Sequence, residues 1–266
     1  RNGIDPFLFA PDSMLTGDIL YYTETEFGPF AVGGFGPTTY YGGFALIVDL
    51  GGDDIYKGRA GGTGTNGGFS IAIDLSGDDI YISDEKFGIA SGFLGTGIII
   101  DADGRDTYIT GDFSLGTGVL GTGILLDIKG DDSFQSGIAG QGCGFLGTGI
   151  ITDRDGNDRY TIEGIGQGCG YTGGIGILND YTGDDTYIST GIERDNLSFE
   201  GHGLSLAQGF GTGHRPVASG GIGVLLDRAG NDVYTADIFA QGAGYWFGLG
   251  ILADGQGNYK YTAFQF

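Results

Sequence analysis

The chain has 266 residues, of which 59 are glycine, about three times the average usage of roughly 7%. Hydrophobic residues make up 40% and aromatic residues 13%, too much apolar mass for a disordered glycine-rich linker. Only 5 prolines, and no glycine at every third position, exclude collagen. The net charge of −22, from 34 acidic against 12 basic side chains, offers no basic patch to nucleic acid or to an anionic membrane surface. No apolar run reaches the roughly 18 residues of a transmembrane helix.

The chain opens at Arg1 without a basic-then-apolar leader, which reads as a processed product whose export signal has been removed. Residues 1–44 carry Phe7, Phe9, Tyr21, Tyr22, Phe27, Phe30, Phe35, Tyr40 and Tyr41 but no repeat. They are expected to form an aromatic cap over the first repeat or an arm that docks on a neighbouring molecule.

From residue 45 to the end one motif, D-x-x-G-x-D-x-aromatic, recurs eight times. The copies are DLGGDDIY (Asp49 to Tyr56), DLSGDDIY (Asp74 to Tyr81), DADGRDTY (Asp101 to Tyr108) and DIKGDDSF (Asp127 to Phe134). They continue with DRDGNDRY (Asp153 to Tyr160), DYTGDDTY (Asp180 to Tyr187), DRAGNDVY (Asp227 to Tyr234) and the degenerate DGQGNYKY (Asp254 to Tyr261). The closing aromatics recur at an even step of about 26 residues, except between Tyr187 and Tyr234, where the step nearly doubles. Four residues before each aspartate stands a small residue (Gly97, Gly123, Gly149), and three before it an Ile, Val or Leu (Leu46, Ile71, Ile98, Ile124, Ile150, Ile177, Val224, Ile251). After the aromatic, Q-G-x-G recurs at Gln141, Gln167, Gln208 and Gln241. Glycine alternating with small or aromatic residues fits a flat strand packed closely on its neighbour. Nothing has a helical period.

A unit of about 26 residues with Gly-marked corners cannot bury its own apolar face and must stack. The expected fold is all-β: one parallel β-solenoid of about eight rungs, two or three short strands per rung, over residues 45–266. Equivalent residues then lie about 4.8 Å apart in successive rungs, which makes an Ile/Leu/Val ladder inside, a Tyr/Phe ladder and a Gly ladder. A transmembrane β-barrel is the competing architecture, but a barrel requires no identical corner in every repeat.

The corners carry the chemistry. Asp49, Asp74, Asp101, Asp127, Asp153, Asp180, Asp227 and Asp254 hold the first motif position, and Asp54, Asp79, Asp106, Asp132, Asp158, Asp185 and Asp232 the sixth. Carboxylates stacked at one-rung spacing repel unless cations, N–H donors or bound protons offset them. Calcium suits such a column, since it takes six to eight oxygens in flexible geometry. The alternative is metal-free turn capping, each aspartate accepting N–H groups of its own corner. Segments such as GGDDIY and GNDVY resemble the G-G-x-G-x-D-x-apolar nonapeptides of the RTX calcium β-rolls, over roughly eight residues of each repeat. That resemblance implies calcium held between turns. The repeat as a whole also resembles acidic, Gly-rich β-solenoid repeats of microbial surface proteins.

Cys143 and Cys169 stand at the same place in consecutive Q-G-C-G segments, so stacking brings them within disulfide reach. Such a bridge implies an oxidising compartment, and two buried thiols are the other reading. The long repeat carries an insertion at about 188–216 with His202, His214 and Arg215, the candidate partner-binding site on a solenoid. It has no catalytic signature, so no enzyme activity is expected. Thr96, Thr122 and Thr148 form a short Thr ladder that raises ice binding as a lesser reading.

The sequence stops soon after the eighth corner, at Phe264 and Phe266. A bare last rung invites another molecule, with Phe7, Phe9, Tyr21 and Tyr22 as its counterpart. The resulting expectation is an extracellular or cell-surface structural protein, calcium-stabilised, that joins head to tail with itself into a filament, sheath or surface layer. The competing class is a secreted monomeric adhesin that offers the 188–216 insertion to a glycan or partner.

Overall fold

A computed structural model describes residues 14–192 and 200–265. They form a single parallel β-solenoid of eight rungs, with no helix among the described residues. Each rung contributes one strand to a stack running from Leu46–Val48 to Leu249–Asp254 and, after the corner, one to a stack running from Ile55–Arg59 to Lys260–Thr262. A third stack of six short strands runs from Ser91–Phe93 to Gly244–Tyr245. Pairing is in register with the repeat: Ile124 lies beside Ile150, Asp127 beside Asp101 and Phe134 beside Tyr160.

Alternation along the first stack fixes what lies inside. The first-position aspartate faces inward, so residues two and four before it do the same and residues three before it face out. The interior aliphatic ladder is therefore Ile47, Ile99, Leu125, Ile151, Leu178 and Leu225, all 0% exposed. This corrects the expectation that placed the residues three before the aspartate inside. Ile98, Ile124 and Ile150 are only half-buried, on the outer face. The inward glycines are required by the third stack pressing against them: a Cβ on Gly123 would meet the Thr117 carbonyl oxygen at 2.2 Å. At the corner, a Cβ on Gly130 would meet the Gly104 carbonyl oxygen at 1.7 Å.

The closing aromatics form one column. From Tyr40 through Tyr56, Tyr81, Tyr108, Phe134, Tyr160, Tyr187 and Tyr234 to Tyr261, successive ring centroids lie 4.4 to 5.0 Å apart with planes within 13°. The buried glutamines of Q-G-x-G hold adjacent rungs together. Gln141 Nε2 donates to the carbonyl of Phe134 at 3.0 Å and of Thr161 at 2.8 Å, one rung on, from a left-handed backbone with φ of 52°.

The N-terminal segment enters this lattice. Leu15–Thr25 and Gly28–Gly43 pair antiparallel, and the second of these strands then pairs in parallel with both strands of the first rung, Phe30 beside Leu46 and Tyr40 beside Tyr56. Tyr21 is 41% exposed, whereas Tyr22 is 4% exposed and packs in the core, so Tyr22 is not an interface residue on this surface. Phe7, Phe9 and Phe266 lie outside the described residues.

The 188–216 insertion is two insertions separated by a regular piece of rung. The stretch from Tyr187 to Gln208 is much longer than its counterpart from Tyr160 to Gln167, and that from Gly211 to Ile222 is longer than its counterpart from Gly170 to Ile175. Between them Gly211–Thr212 pairs normally with Gly170–Tyr171.

The parity of the first stack is testable. Ile99→Ala empties a fully buried site and is expected to cost about 2–5 kcal/mol by chemical denaturation, whereas Ile98→Ala, one residue earlier, costs less than about half as much. Equal losses contradict the assignment.

Candidate metal centre

Both predicted aspartate ladders are buried inside the corner, from 0% to 3% exposed from Asp49 to Asp232. Their hydrogen bonds run between rungs more than within them. Each sixth-position carboxylate accepts the N–H of the equivalent residue one rung earlier: Asp106 N to Asp132 Oδ1 at 2.6 Å, Asp132 N to Asp158 Oδ1 at 2.7 Å and Asp185 N to Asp232 Oδ1 at 2.8 Å. Even the cap takes part, with Thr38 N donating to Asp54 Oδ1. Each first-position carboxylate save Asp153 accepts a tyrosine hydroxyl from the preceding rung, as in Tyr81 to Asp101 at 2.6 Å, Tyr108 to Asp127 at 2.9 Å and Tyr187 to Asp227 at 3.0 Å. Capping of the aspartate's own corner is seen at Asp49, to Gly51 N, and at Asp74, to Ser76 N.

This leaves oxygens over. Asp54, Asp79, Asp106, Asp132, Asp158, Asp185 and Asp232 each keep Oδ2 buried without a hydrogen bond, and Asp101, Asp127, Asp180, Asp227 and Asp254 keep Oδ1. These carboxylates converge in threes, each from two consecutive rungs: Asp49, Asp54 and Asp74; Asp74, Asp79 and Asp101; and so along the column, with the ligand atoms of each group within 4.8 Å of one another. A buried carboxylate without a partner is costly. Capping alone does not account for the column.

The donor set fits a hard cation. Every ligand is an oxygen, each cage gathers three carboxylates, and calcium takes six to eight oxygens, carboxylates among them, in flexible geometry. One first-position and one sixth-position aspartate per rung carry two negative charges, which one divalent ion per rung neutralises.

Without a cation, protons must fill that role. Burial, followed by repulsion from Asp74, pushes Asp79 up to about 11. Burial, then Asp101, pushes Asp106 to about 9. Burial raises Asp132 to about 7 and Asp185 to about 8, against the N–H groups of Asp106 and Asp158. Asp127 and Asp180 are also raised by burial and by neighbouring aspartates.

The remaining predicted residues lie elsewhere. Cys143 and Cys169 are free, buried thiols in adjacent rungs, packed with Phe210 in a second small core, and burial raises the Cys143 thiol. The histidines do not form one site. His202 Nδ1 lies 2.8 Å from Asp237 Oδ1 and its ring stacks on Phe264 at 3.5 Å, whereas His214 Nδ1 lies 3.3 Å from the Tyr171 hydroxyl. Arg215 sits over the Trp246 ring at 5.3 Å. The tyrosine hydroxyls are the functional groups that sequence reasoning missed. Their signal was the preference for Tyr over Phe in seven of eight closing positions, which stacking alone does not demand.

Comparison with protein families, curated proteins and solved structures returned no match.

Raised carboxyl pKa values fix the sign of a pH effect. In the unfolded chain aspartate titrates near about 3.9, so metal-free stability is full below that pH and is lost as pH rises through the folded values of about 7, 8 and 9 at Asp132, Asp185 and Asp106. The melting temperature of the chelated protein should fall from pH 4 to pH 9, and Asp106→Asn should fall less steeply. A melting temperature that rises over this range contradicts the assignment.

Proposed function

We propose that this chain is a non-enzymatic, extracellular structural protein, a calcium-stiffened rod that joins end to end. The observation that carries the cation is the column of buried carboxylate oxygens without partners, gathered in threes. Calcium is the ion of choice because all donors are oxygen and because extracellular calcium modules work at about 10⁻⁴–10⁻³ M.

End-to-end joining rests on the two end surfaces. At one end the rung of Leu249–Asp254 and Lys260–Thr262 leaves Leu249 53% and Tyr261 44% exposed, with nothing paired beyond them among the described residues. At the other, the outer hairpin strand Leu15–Thr25 presents Leu20 and Tyr21, 53% and 41% exposed. A strand edge beside exposed apolar side chains pairs readily with another strand, and a second copy of this chain would bring one. Because His202 and His214 engage separate neighbours, the adhesin reading has no assembled site in its favour.

Two measurements test the two halves. Calcium at about 100 times its dissociation constant should stabilise the fold by about 2.7 kcal/mol for each independent site, so chelation should lower the melting temperature sharply; identical melting curves with and without chelator overturn the metal role. Electron microscopy in calcium should show filaments or sheets, and isolated short rods overturn the assembly.

A further inference from the structure

Phe134 is the one phenylalanine in a column of closing aromatics otherwise made of tyrosine. Elsewhere the ring carries a hydroxyl that donates to the first-position aspartate of the next rung, as Tyr108 does to Asp127 and Tyr160 to Asp180, both at 2.9 Å. Asp153 follows Phe134 and receives no such bond. It is 0% exposed, and it is the one aspartate among the described residues whose two carboxylate oxygens are both buried without a hydrogen bond. The Tyr160 hydroxyl and the N–H groups of Asp155 and Arg154 lie close to this carboxylate, but none meets it in hydrogen-bond geometry.

Asp153 belongs to two consecutive cages, Asp127–Asp132–Asp153 and Asp153–Asp158–Asp180. The first holds four unpartnered oxygens: Asp127 Oδ1, Asp132 Oδ2 and both of Asp153. The second likewise holds both of Asp153, Asp158 Oδ2 and Asp180 Oδ1. The N-terminal cage is the opposite case. Asp49 and Asp74 accept N–H groups on Oδ1 and tyrosine hydroxyls on Oδ2, which leaves Asp54 Oδ2 as the one oxygen without a bond there.

We propose that Asp153 is a two-oxygen cation ligand shared by the two cages on either side of it, and that these cages fill at calcium concentrations where the N-terminal cage does not. The inference rests on the cation reading above and adds an order of filling to it. Its physical basis is ligand count: an oxygen engaged by a hydroxyl offers less charge to a metal, and calcium affinity follows the number and charge of its oxygen ligands. Phe134 sets this order by lacking a hydroxyl, and is a positioning residue that touches no ion.

The test is equilibrium dialysis of the full chain against stepped free calcium, counting bound ions. The wild type should show a tight class of two ions followed by a weaker class. Phe134→Tyr places at this rung the side chain found in its neighbours. It should weaken the tight class about tenfold, the scale of one hydrogen bond, and merge the two classes. Asp153→Asn should remove the tight class. Tyr108→Phe frees Asp127 in the same way and should enlarge the tight class, so the proposal stays open to refutation if one variant folds poorly. A Phe134→Tyr curve that superimposes on wild type overturns the proposal and leaves the cation reading standing. A wild type that binds no calcium overturns both.

Discussion

The structure depends on how the charge of a buried carboxylate column is balanced. Two aspartates per rung point inward at a spacing set by strand pairing, about 4.8 Å, far closer than uncompensated charges tolerate in a dry interior. Hydrogen bonds to corner N–H groups and tyrosine hydroxyls meet half of the demand, and the oxygens left over meet in threes between rungs. Protons satisfy them in acid. At neutral pH the proposed divalent cation, one per rung, would do so without leaving buried charge unpaired, and would tie each rung to the next.

Other features serve that column. Rungs approach this closely because glycine stands at the corner, where a Cβ would strike the preceding rung's carbonyl. The aromatic column keeps the rungs in register, each stacked pair adding about 0.5–1.5 kcal/mol beyond burial. It also delivers the hydroxyls that orient the first-position carboxylates. Sequence, stacking and electrostatics thus specify the same register, the kind of agreement between levels that singles out one fold.

Much of this was legible in the sequence. A motif that returns at so even a step, from Asp49-Tyr56 to Asp254-Tyr261, can only stack, so the solenoid, its period, the aspartate ladders and the aromatic ladder followed from the repeat. The parity of the first stack did not. A run such as Gly97-Ile98-Ile99-Ile100-Asp101 is apolar on both faces, and only the burial of Asp101 decides that Ile99 faces in and Ile98 out. The division of the 188–216 segment was within reach, since Gln208–Gly211 repeats the Q-G-x-G of Gln167–Gly170, but the expectation of one insertion counts that copy inside it instead of using it to divide it. The exchange of hydrogen bonds between rungs was hidden, since a turn motif read alone suggests that Asp101 or Asp127 caps its own corner.

The most direct test of the cation column is a crystal structure of calcium-grown protein with anomalous scattering recorded. The account predicts a row of peaks along the corner between Asp49 and Asp254, strongest beside Asp153, at steps of about 4.8 Å. A column free of anomalous density, with carboxyl oxygens of neighbouring aspartates drawn together over shared protons, would contradict it.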